Sequence, residues 1–202
     1  MIGLVKTVLR WFSNPPTEIN VEKPMGKLPV NALKAWTGKE RATVIFDSTV
    51  DEFTDKGLFN KVKNKPNVAI VGFTTDGDVF GGFYSVAVWK LNKYFHDPNI
   101  FVFSFESHGR CETPKRFMVK EGWLKEKANV SFSKNNISGF VGFWVFDYGW
   151  FYLGNEKSNS WCHDLSDAFE GIEKMTLTGQ NNTSKYTPPF HHCARIVAIQ
   201  LE

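Results

Sequence analysis

The sequence predicts a mainly β (α+β) fold: a two-layer antiparallel β-sandwich with one or two short peripheral helices. Three observations predict it. The 19 Phe, 7 Trp and 5 Tyr fall in short clusters separated by Gly, Asn, Asp and Ser, the residues that strands and turns respectively favour. Several clusters are apolar at almost every position, as strands covered on both faces are. Tight-turn sequences such as Thr75-Asp76-Gly77-Asp78 and Asp147-Tyr148-Gly149 join neighbouring clusters, where Gly supplies the positive φ that a hairpin needs.

Along the chain, residues 1–12 (MIGLVKTVLRWF) come first. At about 100° per residue, Ile2, Leu4, Val5, Val8, Leu9, Trp11 and Phe12 share one half of a helical wheel, with Lys6 and Arg10 on the other. This is a short amphipathic helix, stopped by Asn14-Pro15-Pro16. It can lie in a membrane surface, cap the domain's own sheet, or seat on a partner. Gly3 is not directly after Met1, so the myristoylation pattern is missing. Residues 13–35 contain Pro15, Pro16, Pro24 and Pro29 and read as a linker. The expected division is therefore 1–35, helix and linker, and 36–202, one domain.

Within the domain, strands are expected at Arg41 to Asp47, Asn67 to Thr74, Ile100 to Glu106, Asn129 to Ser133, Phe140 to Phe146, Trp150 to Gly154 and Ala194 to Leu201. A short helix is expected from Thr54 to Val62, with Leu58, Phe59 and Val62 on one face. Gly77 to Trp89 (GDVFGGFYSVAVW) reads as the return strand of the hairpin that Asn67 to Thr74 begins.

Charge excludes some functions. Residues 1–41 hold seven Lys or Arg against three Glu, and the remainder is close to neutral. A dedicated nucleic-acid domain should carry a basic face, so no nucleic acid is expected; a basic N-terminal arm is compatible with an anionic membrane surface. Cys111, Cys162 and Cys193 are too few and too irregularly spaced for a disulfide framework. No secretory signal is evident, so a cytoplasmic setting with reduced thiols is expected, and the Asn-X-Ser/Thr patterns at Asn129, Asn136, Asn181 and Asn182 are expected to be unused.

Four motifs bear on chemistry. Gly81-Gly82 lacks the spacing and following helix of a phosphate loop; the alternatives are a bend or the close approach of another layer. Cys162-His163 and His191-His192-Cys193 offer zinc-ligand types without zinc-site spacing, and neighbours on a strand point to opposite faces. Cys162 beside His163, and Ser107-His108 beside Glu106, are nucleophile and base types without a recognisable constellation. Trp144, Tyr148, Trp150, Phe151 and Tyr152 crowd one hairpin, where they serve a core or a sugar- or protein-binding platform.

The order of the pieces resembles the TLDc domain of the oxidation-resistance family. The residues that carry the resemblance are Phe46-Asp47-Ser48, Gly57-Leu58-Phe59, the strand Val68 to Phe73, Asp76-Gly77, and then Val79-Phe80-Gly81-Gly82-Phe83. Phe101 to Phe105, the hairpin Gly139 to Gly154, Ser160-Trp161-Cys162 and the closing Ala194 to Glu202 follow. The resemblance covers residues 36–202 and is that of a divergent, short member, with bulky Trp144, Trp150 and Phe151 where the family often has a Gly-rich hairpin. Phe80, Gly81, Gly82 and Phe83 then read as a fold signature.

The resemblance implies a non-enzymatic interaction module linked to protection against oxidative stress, with no cofactor and no catalytic residue. A protein partner is implied, with peripheral subunits of the vacuolar proton ATPase the leading candidate. Two alternatives remain beside it. One is a cysteine-based redox sensor or scavenger using Cys111, Cys162 or Cys193, each of which has a cationic or imidazole neighbour in sequence. The other is a hydrolase or metal site around Cys162 and His163.

Overall fold

A computed structural model describes residues 28–134, 141–145, 148–154, 160–173, 176–179 and 192–202. The N-terminal amphipathic helix and its residues Ile2, Leu4, Val5, Val8, Leu9, Trp11 and Phe12 lie outside the described residues, as do His191, Asn181 and Asn182.

Apolar alternation on two faces builds the sandwich. In chain order the elements are helix α1 (Val30–Thr37), β1 (Ala42–Asp47), α2 (Asp55–Val62), β2 (Val68–Thr74), β3 (Val79–Tyr84), β4 (Lys93–His96), β5 (Phe101–Glu106), β6 (Lys115–Met118), a 3-10 helix (Gly122–Lys127), β7 (Ala128–Phe132), β8 (Val141–Val145), β9 (Gly149–Leu153), β10 (Trp161–His163), α3 (Leu165–Ala168) and β11 (Cys193–Leu201). One sheet has the order β1-β11-β2-β3-β5-β6 and the other β10-β9-β8-β7-β4. The neighbours within each sheet pair antiparallel. The protein is thus a mostly antiparallel, two-layer β fold with few short helices.

Two apolar clusters account for the strands that are apolar throughout. Between the sheets lie Val68, Ile70, Phe80, Tyr84 and Val102 from the first, and Val130, Phe132, Val141, Phe143 and Leu153 from the second, closed at one side by Leu58, Phe59 and Val62 of α2. The outer face of the first sheet carries a second cluster, including Phe83, Phe101, Phe103 and Phe105, covered by Leu33 and Trp36 of α1. The Trp36 ring centroid lies 6.0, 5.9 and 6.0 Å from those of Phe101, Phe103 and Phe105. β2 is buried along its whole length because both faces are used.

Gly81 and Gly82 serve these two faces in turn. A Cβ on Gly82 would stand 2.8 Å from ring atoms of Phe143, in the opposite sheet. A Cβ on Gly81 would stand 2.0 Å from the Ile70 carbonyl oxygen and 2.7 Å from Phe103 Cζ on the outer side. Real Cβ contacts are not that short, so the pair marks where an aromatic ring on each side approaches bare backbone.

The structure differs from the sequence expectation at several elements. Helix α1 occupies residues assigned to the linker: it starts after Pro29, ends on Gly38 in the left-handed region and fully buries Leu33. Pro at a helix start and Gly just past its end are ordinary punctuation, but the four prolines of residues 13–35 make this stretch read as a linker. The return strand stops at Tyr84, not Trp89, because Asp97 intercepts the chain: Ser85 N and Oγ donate to its carboxylate at 2.5 and 2.8 Å. Strands β4, β6 and β10 and helix α3 are further elements too short to leave a pattern.

Candidate functional site: a polar cluster at one end of the sandwich

Antiparallel register gathers one set of loops. The ends of β1, β2 and β5 and the starts of β3, β6 and β11 all fall at the same edge of the first sheet. Each apolar strand there meets a polar residue that must be satisfied where the strand leaves the core.

Asp78, at the β2–β3 turn, is buried and central. Its Oδ1 accepts from Arg110 Nη2 at 2.5 Å and stands 2.8 Å from His108 Nδ1. Its backbone N–H donates to Thr74 Oγ1 at 3.0 Å. Arg110 continues outward, with Nη2 donating to Leu177 O at 3.0 Å and Nε to Thr176 O at 3.3 Å. One guanidinium therefore ties the β2–β3 turn, the loop after β5 and the 176–179 segment together. Glu106 Oε1 accepts the N–H groups of Ser107 and His108 at 2.9 and 2.7 Å. Those bonds, His108's first, hold the Glu106 carboxyl below its ordinary pKa.

Beside it stands a buried ion pair. Asp47 closes β1 and Arg195 opens β11. Arg195 Nε donates to Asp47 Oδ1 at 3.0 Å and Nη2 donates to Oδ2, while Thr49 N and Oγ1 also donate to Oδ1. Burial opposes the Asp47 charge, but the hydrogen bonds from Arg195 and Thr49 outweigh it and hold the carboxyl below its ordinary value. The guanidinium also lies over the Phe73 ring, 5.2 Å from its centroid.

Chemically, His108 and Asp78 form the base-and-orienter half of a hydrolytic arrangement. Ser107 does not complete it. Its buried Oγ donates to Cys111 O at 3.2 Å and accepts from Cys111 N at 3.1 Å, so the hydroxyl holds the loop's own backbone.

The three thiols separate by burial. Cys162 and Cys193 are both inside the inter-sheet core. Burial pushes the Cys162 thiol up, with Cys193 nearby adding to the effect. Burial pushes the Cys193 thiol up to about 12, against a small opposing effect of Ser160 Oγ at 3.4 Å. Cys111 is partly exposed, with Sγ 3.5 Å from Ser107 Oγ. Reactive thiols need exposure and a lowered pKa, so burial removes Cys162 and Cys193 from the sensor set the sequence suggests.

Cys162 and His163 are placed as strand alternation requires. Cys162 enters the core, and His163 Nδ1 stands 2.8 Å from Asp164 Oδ2. His192 is exposed and its carbonyl accepts from Thr75 N at 3.0 Å. Among the described residues no group of three or more His, Cys, Asp or Glu converges as metal ligands would. The aromatic hairpin divides too: Trp144 meets Tyr94 and Tyr152 edge-on at 5.4 and 5.0 Å, whereas Tyr148 meets Trp123 at 4.9 Å.

Asp78, Arg110, Asp47 and Arg195 form the polar cluster at this end, and sequence reasoning gave none of them that place. Asp78 reads only as a turn residue. The one available signal is a charge placed where a fully apolar strand begins or ends.

The fold and this end define a class: an antiparallel sandwich whose loops are locked by buried charge, with two core thiols. The chain belongs to the TLDc domain family, whose model matches residues 25–140, more than half of the sequence. The match begins upstream of α1, in agreement with α1 being part of the domain. No curated protein matches the chain significantly.

Proposed function

We propose that this chain is a non-enzymatic protein-interaction module of the TLDc type, acting in oxidation resistance, with the peripheral sector of the vacuolar proton ATPase as its partner. Membership of a family linked to oxidation resistance is the observation that carries the reading. Two features of the structure support a binding role. The loop end is a rigid polar surface, since Asp78 and Arg110 fix three segments against one another. The Ser107 hydroxyl that would serve a hydrolase is engaged by backbone. No helix among the described residues is long and apolar enough to cross a membrane; the proposed setting is the cytoplasm, with residues 1–12 contacting either a membrane surface or the partner.

A second reading keeps Cys111 as a single sensor thiol, because it alone of the three is partly exposed.

The test is an affinity pull-down of the full chain from its native lysate, read by mass spectrometry, beside a chain beginning at Leu28 so that α1 stays whole. Recovery of ATPase peripheral subunits with both supports the module and makes residues 1–27 dispensable. Recovery with the full chain alone assigns the N-terminal segment to the binding site. Recovery with neither removes the ATPase from the proposal.

A further inference from the structure

A cleft of about 280 Å³ opens beside α1, between its C-terminal turn and the outer face of the first sheet. Its apolar wall is aromatic: Trp36, Phe83 and Phe101 line it. Phe83 and Phe101 stack with centroids 4.8 Å apart, and Trp36 meets Phe101 edge-on. Its polar rim carries Asn67, Asn99 and Arg116.

Arg116 is the unusual member. Its guanidinium lies 5.8 Å from the Phe101 ring centroid and donates through Nη1 to Trp36 O. This bond holds the guanidinium beside the cleft through one of its five N–H groups and leaves the others without a hydrogen bond among the described residues. Among the described residues it has no carboxylate within ion-pair distance, whereas Arg41, Arg110 and Arg195 each have one. No Asp or Glu lines the cleft. An exposed guanidinium beside an aromatic-lined cleft, with no acid of its own among the described residues, complements a carboxylate that neighbours an apolar or aromatic side chain.

We propose that this cleft is a docking site for an acidic–aromatic peptide segment of a protein partner. A Glu or Asp carboxylate pairs with Arg116, and an adjacent aromatic side chain lies in the cleft against Trp36, over the edges of Phe83 and Phe101. The volume suits one large side chain and its backbone, not a drug-sized ligand, so the cleft reads a short motif within a larger interface. The polar loop cluster lies at the opposite end of β3 and β5: Asp78 and Glu106 stand at one end of these strands, Phe83 and Phe101 at the other. The proposal rests on the interaction-module reading and supplies it with a recognition site.

The test is a titration of the ¹⁵N-labelled full chain with Ac-Gly-Glu-Phe-Glu-Gly-NH₂, followed by heteronuclear NMR. The expected result is saturable shifts of the Trp36 indole N–H and of the Phe83 and Met118 amides, with the Trp144 indole on the other sheet unmoved. The Gln-Phe-Gln peptide should bind about tenfold more weakly, since it lacks the charge-assisted pairing. Arg116→Gln should remove that preference while its own spectrum stays dispersed, because the side chain is exposed. Absence of saturable shifts at the cleft, equal binding of the two peptides, or an undiminished preference in Arg116→Gln would each overturn the proposal. Peptide binding without ATPase recovery in the pull-down would keep the cleft and discard that partner; ATPase recovery without peptide binding would do the reverse.

Discussion

Gly82→Ala tests the packing that the glycine pair makes necessary. The added methyl carbon would meet Cδ1, Cε1 and Cε2 of Phe143 at 2.8 Å each. Carbon–carbon contacts are favourable near 3.5–4.0 Å, so either Phe143 or the whole β8–β9 hairpin must withdraw by about 1 Å. Phe143 is fully buried and packs against Tyr84 with centroids 6.5 Å apart, which leaves the ring little room to turn. Overpacking of this kind costs about 1–3 kcal/mol. With a urea m-value of about 2 kcal/mol per M, the unfolding midpoint should fall by roughly 0.5–1.5 M at unchanged slope. A second substitution, Phe143→Leu, removes the ring; the double variant should be destabilised by less than the sum of the single effects. An unchanged midpoint in Gly82→Ala, or strict additivity with Phe143→Leu, would refute the reasoning.

Three further predictions follow from buried polar groups. Tyr84 Oη is buried with no hydrogen-bond partner among the described residues; Tyr84→Phe should leave stability unchanged or raise it by about 1 kcal/mol, measured by the same urea unfolding. Asp47 has a lowered pKa in the folded protein, so its contribution to stability is complete above the unfolded value near pH 4 and is lost as pH falls through the folded value. Asp47→Asn, which leaves Arg195 buried without its counter-charge, should therefore cost about 3–5 kcal/mol at pH 7 and progressively less below pH 4. A cost independent of pH would contradict the pairing. Finally, a thiol reagent at pH 8 should modify Cys111 in the folded chain and reach Cys162 and Cys193 only after denaturation, because burial keeps those two protonated; three equal rates in the folded protein would contradict their placement.

What the sequence makes legible depends on element length and on how far the cause lies from the effect. β2, β5 and β11 are legible because both faces are apolar, and their burial follows from the two clusters that flank them. Helix α2 is legible from Leu58, Phe59 and Val62, all three buried, and the structure adds the Thr54 cap, whose Oγ1 accepts from Gly57 N. Helix α1 is not legible, because Leu33 is its one fully buried residue and Pro29 suggests a linker. The candidate sites fare differently again. Gly81 and Gly82 announce a close approach, but only the structure shows that Phe103 and Phe143 are what approaches. The Asp78–Arg110 and Asp47–Arg195 pairs join residues 32 and 148 positions apart, and no local pattern predicts a partner at that range. The Arg116 cleft is illegible for the same reason: α1, β3 and β5 each contribute a wall, and β6 contributes the charge.

The most direct measurement of the central claim is binding of the purified full chain to the purified peripheral sector of the vacuolar proton ATPase, followed by surface-based interferometry over a range of concentrations. Saturable binding, weakened by Arg116→Gln and unaffected by Cys162→Ser in a chain that remains folded, is the predicted result. Absence of saturable binding would contradict the assignment of this TLDc-family chain to that partner.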